Sequence, residues 1–369
     1  MNLNMDPHDS SFLTQSIPWS PHTVLAHRLW FGLDAANRFT LLKRWGTAKT
    51  AELEFAFLRR HQETYFLDGL RKLGLDEMPH HVASARYHVL SNILGGLDVA
   101  YLEEDDRAWA FYLPPSAFGD TGLSPSAGIL AVPSEVLLAG FRAWHANNGA
   151  MLGNERLRFT LVSLMTEGGP FDAGYWDFAP KPLSESERFR VQFSNDPPTP
   201  GPPPEFAGAS WPQARKDLAL RKYSAQYAMG GVAQIAEFAG MDEALEVLRA
   251  SMTALFVSWG RILVRELPVE ATGPAERVAS LMKFAYELIG DTLELTTSGS
   301  SAVLRHHSTR MSVPEYSGWE SPPTPVLEVM AEVWATVART IGPAVDVRVA
   351  PSPGTVAEWT ITPSGRGRP

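Results

Sequence analysis

Apolar residues recur at helical spacing through TAELEFAFLRRHQETYFLDGLRKLGL, which begins at Thr50. A second helical stretch starts at His81, with Val82, Val89, Ile93 and Leu97 on one apolar arc. The period then changes: LDVAYLE and RAWAFYL, either side of the polar turn EDD, alternate or run apolar and read as a β-hairpin. SEVLLAGFRAWHA returns to a helical period, and LRFTLVSL and AGYWDFA close the pattern as two more strands. From Met241 the same order comes again. MDEALEVLRASMTALFVSWGRIL and ERVASLMKFAYELI read as helices, TLELTT and AVLRHHST as a hairpin around SGSS, PVLEVMAEVWATVA as a helix, and VDVRVA and AEWTIT as strands.

The two runs also match position by position. Val82 aligns with Val278 and Leu97 with Leu293 in one ungapped register, Trp144 answers Trp334, and Trp176 answers Trp359. A tandem duplication of one helix-helix-hairpin-helix-two-strand unit accounts for this pattern. The expected fold class is α+β, each copy having a mostly antiparallel four-stranded sheet covered by helices. Between the copies, DPPTPGPPPEFAG sets six prolines between 197 and 204, and proline removes a backbone donor and holds its predecessor extended. The expected organisation is an N-terminal extension (1–34, with Trp19 and Trp30), a first repeat (35–178), a Pro-rich linker (179–215), a second repeat (216–361) and a disordered tail (362–369).

Composition narrows the function classes. With 369 residues, 44% of them apolar and 20% charged, the chain suits a globular protein of about two domains. A formal charge of -9 argues against nucleic acid or an anionic membrane as partner, since both call for clustered Lys and Arg. The start, MNLNMDPHDSSF, has neither a basic n-region nor an apolar h-region, and no uninterrupted apolar run approaches about eighteen residues, so a cytoplasmic location is expected. The absence of cysteine removes disulfides, thiolate zinc sites, iron–sulfur clusters and a cysteine nucleophile, leaving His, Asp and Glu as the only side chains to hold a metal. No nucleotide-binding or serine-nucleophile signature survives inspection. GTAKT is too short for a P-loop, FVSWG lacks the first glycine of a nucleophile elbow, and the S-x-x-K of Ser280–Lys283 lies mid-helix without companion motifs.

The second repeat, with a helix reading AGMDEALEVL, a glycine-containing turn, a second helix and a hairpin followed by VPEY, resembles the L-2-amino-thiazoline-4-carboxylic acid hydrolase-like family. It is similar, more remotely, to the vinyl-reductase-type small-molecule-binding domains of the TRAPP-like fold. The likeness covers residues 216–361 and, more faintly, 35–178. It rests on helix and hairpin patterns, and the cysteines that family members often carry near the strand reading RHHSTRM are missing here. The resemblance implies an α+β pocket for a small, partly apolar ligand and hydrolysis of a C–N bond in a ring.

Candidate chemistry concentrates in RHHSTRMSVPEY. Alternate side chains of a regular strand share a face, so His306, Ser308 and Arg310 fall on one side and Arg305, His307 and Thr309 on the other. Adjacent histidines then do not share a metal, no third ligand is suitably spaced, and no metal site is expected. The matching strand of the first repeat carries Trp109, Phe111 and Tyr112, so ionisable groups stand where its sibling is apolar. That departure marks either a pocket lining or a solvated outer face. His81, His88 and Asn92 lie along one side of the first repeat's second helix, as a pocket edge with His88 as general base or as a polar helix margin. Glu315, Tyr316 and Trp319 form either a lid bearing a carboxylate or a loop anchored by a ring. The carboxylates Glu103, Glu104, Asp105 and Asp106 read as a solvated turn.

Two functions follow. The leading expectation is a small-molecule enzyme, a hydrolase acting on the C–N bond of a small carboxylate-bearing or heterocyclic compound, as the resemblance implies. His306 or His88 would act as base and Arg310 would hold a carboxylate, with Ser308, Glu315, Tyr316, Trp319 and Asn92 contacting substrate. The alternative is a non-catalytic sensor or carrier that holds an apolar ligand between helix and sheet. Either has a small molecule as partner, calls for no cofactor, and is compatible with a homodimer.

Overall fold

The structure, a computed structural model, describes residues 13–114, 132–205, 210–267, 273–342 and 344–364. These form two compact units. Leu42–Ala219 with the described part of Asp9–Trp19 make the first, and Ser20–Leu41 with the described part of Leu220–Pro369 make the second. Helix α1 (Pro21–Ala26) continues through a wide π-type turn, His27–Phe31, into α2 (Gly32–Leu73). Gly46 breaks α2 with φ 77° and ψ 178°, a backbone conformation that glycine adopts without a Cβ clash.

In the first unit α3 (His80–Leu94) precedes the hairpin β1 (Val99–Glu103) and β2 (Ala108–Tyr112). Then come α4 (Ser134–Trp144), the short α5 (Asn148–Met151), β3 (Leu157–Ser163), β4 (Asp172–Phe178) and β5 (Phe189–Val191). The sheet order is β1-β2-β4-β3-β5, antiparallel except where β5 joins β3 in parallel. Five strands replace the expected four because the stretch read as linker supplies β5. It then keeps hold of the sheet, Gln192 and Ser194 donating their N–H groups to Leu161 and Val162 carbonyls at 2.8 and 2.9 Å. Further on, Gly201 exchanges two backbone hydrogen bonds with Tyr101 of β1, the strand at the opposite edge. The prolines thus sit in a strap spanning the sheet.

Both faces of this sheet are apolar. Tyr112, Phe159 and Trp176 face the rings of α4 and α3, while Trp109, Phe111 and Tyr175 form a second buried cluster on the other side. The unbroken apolar run AWAFY in β2 reflects that double burial. Gly174 of β4 makes room for the Phe159 ring, which would lie 2.3 Å from an added Cβ.

The second unit adds α6 (Gln213–Ala239, from Leu220 onward), α7 (Met241–Glu266), α8 (Pro274–Glu287), β6 (Thr292–Ser298), β7 (Ser301–Ser308), α9 (Pro314–Ser317), α10 (Thr324–Ile341), β8 (Val345–Ala350) and β9 (Ala357–Pro363). Its sheet order, β6-β7-β9-β8, repeats the β1-β2-β4-β3 order of the first unit, and all its pairings are antiparallel. Here one sheet face is buried and the other open, so β7 and β9 alternate in exposure along most of their length. Trp30 lies in the core of this unit, donating to the Ala285 carbonyl at 2.9 Å and packing on Phe256 and Tyr286. By length and composition α7 is apolar enough to cross a membrane. Its residues Val247, Leu248, Met252, Leu255 and Phe256 are buried within the unit.

Candidate functional site

β7 ends at Ser308, and its register against β6 shifts near that end. His306 faces Leu293 and Ser308 faces Thr292, so His307 has no residue opposite it. A bulge of this kind breaks the alternation of faces. His306 is wholly buried, His307 and Ser308 are both exposed, and Arg310 lies beyond the strand with its side chain exposed. The shared face expected for His306, Ser308 and Arg310 does not form.

Asp291, in the turn between α8 and β6, holds this corner together. Its Oδ2 accepts from His306 Nε2 at 2.8 Å and from Thr309 Oγ1 at 3.0 Å, and its Oδ1 accepts the Arg310 backbone N–H at 2.6 Å. A carboxylate offers only acceptors, so His306 Nε2 carries the hydrogen. Asp291 is therefore engaged by the backbone of Arg310 rather than by its guanidinium. The segment after β7 is anchored by its rings, Tyr316 and Trp319 being buried, with a 2.8 Å bond from Val313 N–H to the Trp319 carbonyl; Glu315 is exposed.

His88 and Asn92 belong to the first unit, the other six nominated residues to the second. α3 is buried along the margin read as polar, with His88 at 0% and Asn92 at 1% exposure. The His88 ring packs against His145 (centroids 4.1 Å) and Trp176 (5.1 Å), which also contact each other at 5.4 Å, with Trp144 edge-on at 4.7 Å. Gln62 Nε2 donates to Asn148 Oδ1, which turns Asn148 Nδ2 toward His88 Nε2 at 3.0 Å and leaves the hydrogen on His88 Nδ1. Asn92 Nδ2 donates to the His88 carbonyl at 2.5 Å, and Tyr112 Oη meets His145 Nε2 at 2.6 Å. Burial pushes His88 down to about 3, helped by the nearby His61, which burial holds at about 4; burial also takes His145 well below its ordinary value. These imidazoles are neutral at pH 7. His88 is a weak base sealed in the core.

The first unit also contains a cleft of about 410 Å³, on the sheet face opposite α3. Trp109 and Tyr175 form its floor, ring centroids 4.6 Å apart and planes inclined by 50°. The strap supplies the facing wall, including Phe193 and Asp196. Glu104 and Arg107 enter from the β1–β2 turn, which a 2.8 Å bond from Glu104 N–H to the Arg107 carbonyl closes. Trp109 Nε1 donates to Glu104 Oε2 at 2.8 Å, and the Arg107 guanidinium stands 5.0 Å from the Tyr175 ring centroid. All four carboxylates of the run are exposed, as a solvated turn requires, while Glu103 also binds Arg86 at 3.0 Å and the Tyr101 hydroxyl at 2.6 Å. Sequence reasoning missed the cleft. Its one signal was AWAFY, whose apolar letters on both faces imply a cover on each.

Fold and site together define an α+β protein of two units, one of which bears a strapped aromatic cleft. No protein-family profile, curated protein or solved structure matches the chain.

Proposed function

We propose that the chain is a small-molecule-binding protein, a sensor or carrier, whose ligand lies in the strapped cleft of the first unit. The carrying observation is the cleft itself: about 410 Å³ over an aromatic floor with charged groups at one end, within the usual range for ligand pockets. Binding is favoured over hydrolysis because His88 and His306 are fully buried in side-chain networks, and no imidazole is among the described residues lining the cleft. The shared strand order of the two sheets supports descent of both units from one duplicated ancestor, and with it the resemblance to small-molecule-binding domains of the TRAPP-like fold. Native mass spectrometry of the purified protein tests the reading. A bound compound recovered chemically unchanged after incubation, and lost from a Trp109→Leu variant that still folds, is the expected result. Conversion of that compound at a rate that falls in His88→Ala or His306→Ala would restore the hydrolase reading.

A further inference from the structure

The walls of the cleft also specify the charge of its occupant, an inference that rests on the ligand-binding reading above. We propose that the cleft takes an organic cation, an ammonium group attached to a compact apolar or aromatic body, and that Arg107 is an internal occupant which the ligand displaces.

Three aromatic side chains, Trp109, Tyr175 and Phe193, line the space. The face of an aromatic ring carries negative charge density and attracts cations, tryptophan most strongly. Two carboxylates, Glu104 and Asp196, stand against one guanidinium, and the exposed Asp105 and Asp106 on the same turn add to the negative field. Glu104 is held at the edge of Trp109 by the 2.8 Å hydrogen bond from Nε1, so a carboxylate and an indole are fixed side by side. An anion entering here would meet both carboxylates. A neutral compound would strip them of water without return.

Arg107 shows where a cation settles. Its guanidinium lies over the Tyr175 ring at 5.0 Å, and its nearest acidic neighbour is Asp106, at 3.8 Å from Nε. The side chain is 43% exposed and makes no bidentate pair, so a ligand ammonium can take the ring face while Arg107 swings into water at small cost. Opposite consequences follow for the Arg107→Ala variant. If Arg107 is a competitor, removing it strengthens cation binding; if it is a clamp for a ligand carboxylate, removing it destroys binding.

Isothermal titration of the full chain with three matched probes, benzyltrimethylammonium, benzyl alcohol and benzoate, separates these cases. The expected order is the ammonium compound tightest by about tenfold. Its affinity should rise about threefold in Arg107→Ala and fall about fivefold in Glu104→Gln and in Asp196→Asn. Glu328→Gln, on α10 of the other unit, should have no effect; a change there equal to that of Glu104→Gln would reduce the preference to bulk charge and overturn the proposal. Benzoate binding tightest and depending on Arg107, or the alcohol matching the ammonium compound, would overturn the cation assignment while keeping the cleft as a ligand site. Failure of all three probes would remove the cleft reading and the cation with it.

Discussion

Acid should destabilise the first unit through its buried imidazoles, and His88 should account for a definable share. In the unfolded chain His88 takes up a proton near pH 6.5, whereas burial holds the folded-state value down to about 3. Between those values the unfolded state binds the extra proton, so stability is full above 6.5 and is lost as pH falls toward 3. Each pH unit in that window costs about 1.4 kcal/mol per histidine, so at pH 5 His88 alone removes about 2 kcal/mol. His61, held at about 4, behaves alike and brings the loss to roughly 4 kcal/mol, and His145, which burial also lowers, acts in the same direction. Asp172, which burial raises from 3.8 to about 6, works in the opposite sense below pH 6 and returns about 1 kcal/mol at pH 5. A net loss of about 3 kcal/mol is a large share of the whole stability of an ordinary domain. Urea titrations at pH 7, 6 and 5, followed by tryptophan fluorescence, measure it. Because His27 of the second unit is also lowered to about 3, the decisive quantity is a difference: His88→Phe should shrink the pH 7 to pH 5 loss by about 2 kcal/mol. An unchanged loss in that variant, or a wild-type loss under about 1 kcal/mol, would refute the reasoning.

Three further outcomes follow from the structure. Asp291→Ala strands the His306 Nε2–H, the Thr309 hydroxyl and the Arg310 N–H, and should cost about 3–5 kcal/mol in urea unfolding, with Asp291→Asn losing less because it still accepts the Arg310 amide. Gly174→Ala sets a methyl group 2.3 Å from the Phe159 ring and 2.7 Å from the Thr160 carbonyl, and should lower stability by about 2–3 kcal/mol in thermal melts. Gly201→Ala sets a methyl group 2.7 Å from the Tyr101 carbonyl and should free the strap from β1, weakening benzyltrimethylammonium binding about fivefold in calorimetry while changing stability by less than about 1 kcal/mol.

Periodicity carried most of the fold. The helices around Val82, Val89 and Ile93 and the hairpins flanking EDD and SGSS form where the apolar spacing indicates, because each presents one face to a core. β5 escaped because Phe189–Val191 is three residues long and pairs in parallel with a strand some thirty residues earlier, so no local alternation announces it. The burial of His306 escaped for a different reason. Alternation places His306 on the face of Ala302 and Leu304 but does not say that this face is the buried one, and the loss of Ser308 from it depends on a bulge in the pairing with β6. His88 was legible as distinctive but not as sealed, since the imidazole of His145 and the amide of Asn148 reach it from elements far away in the chain. The cleft joins a turn near residue 105 to a wall near residue 195, a meeting that only the tertiary fold brings about.

The strap crossing to β1 also bears on self-association. A strand at a sheet margin exposes unused N–H and C=O groups that invite a neighbouring chain to add itself as a further strand. On β1 the bonding groups of Tyr101 are taken by Gly201, and Gly201 is flanked by Pro200 and Pro202, which have no N–H to offer. The proline segment thus serves as a molecular hem along that margin. Excising residues 196–204 should increase aggregation through that frayed border.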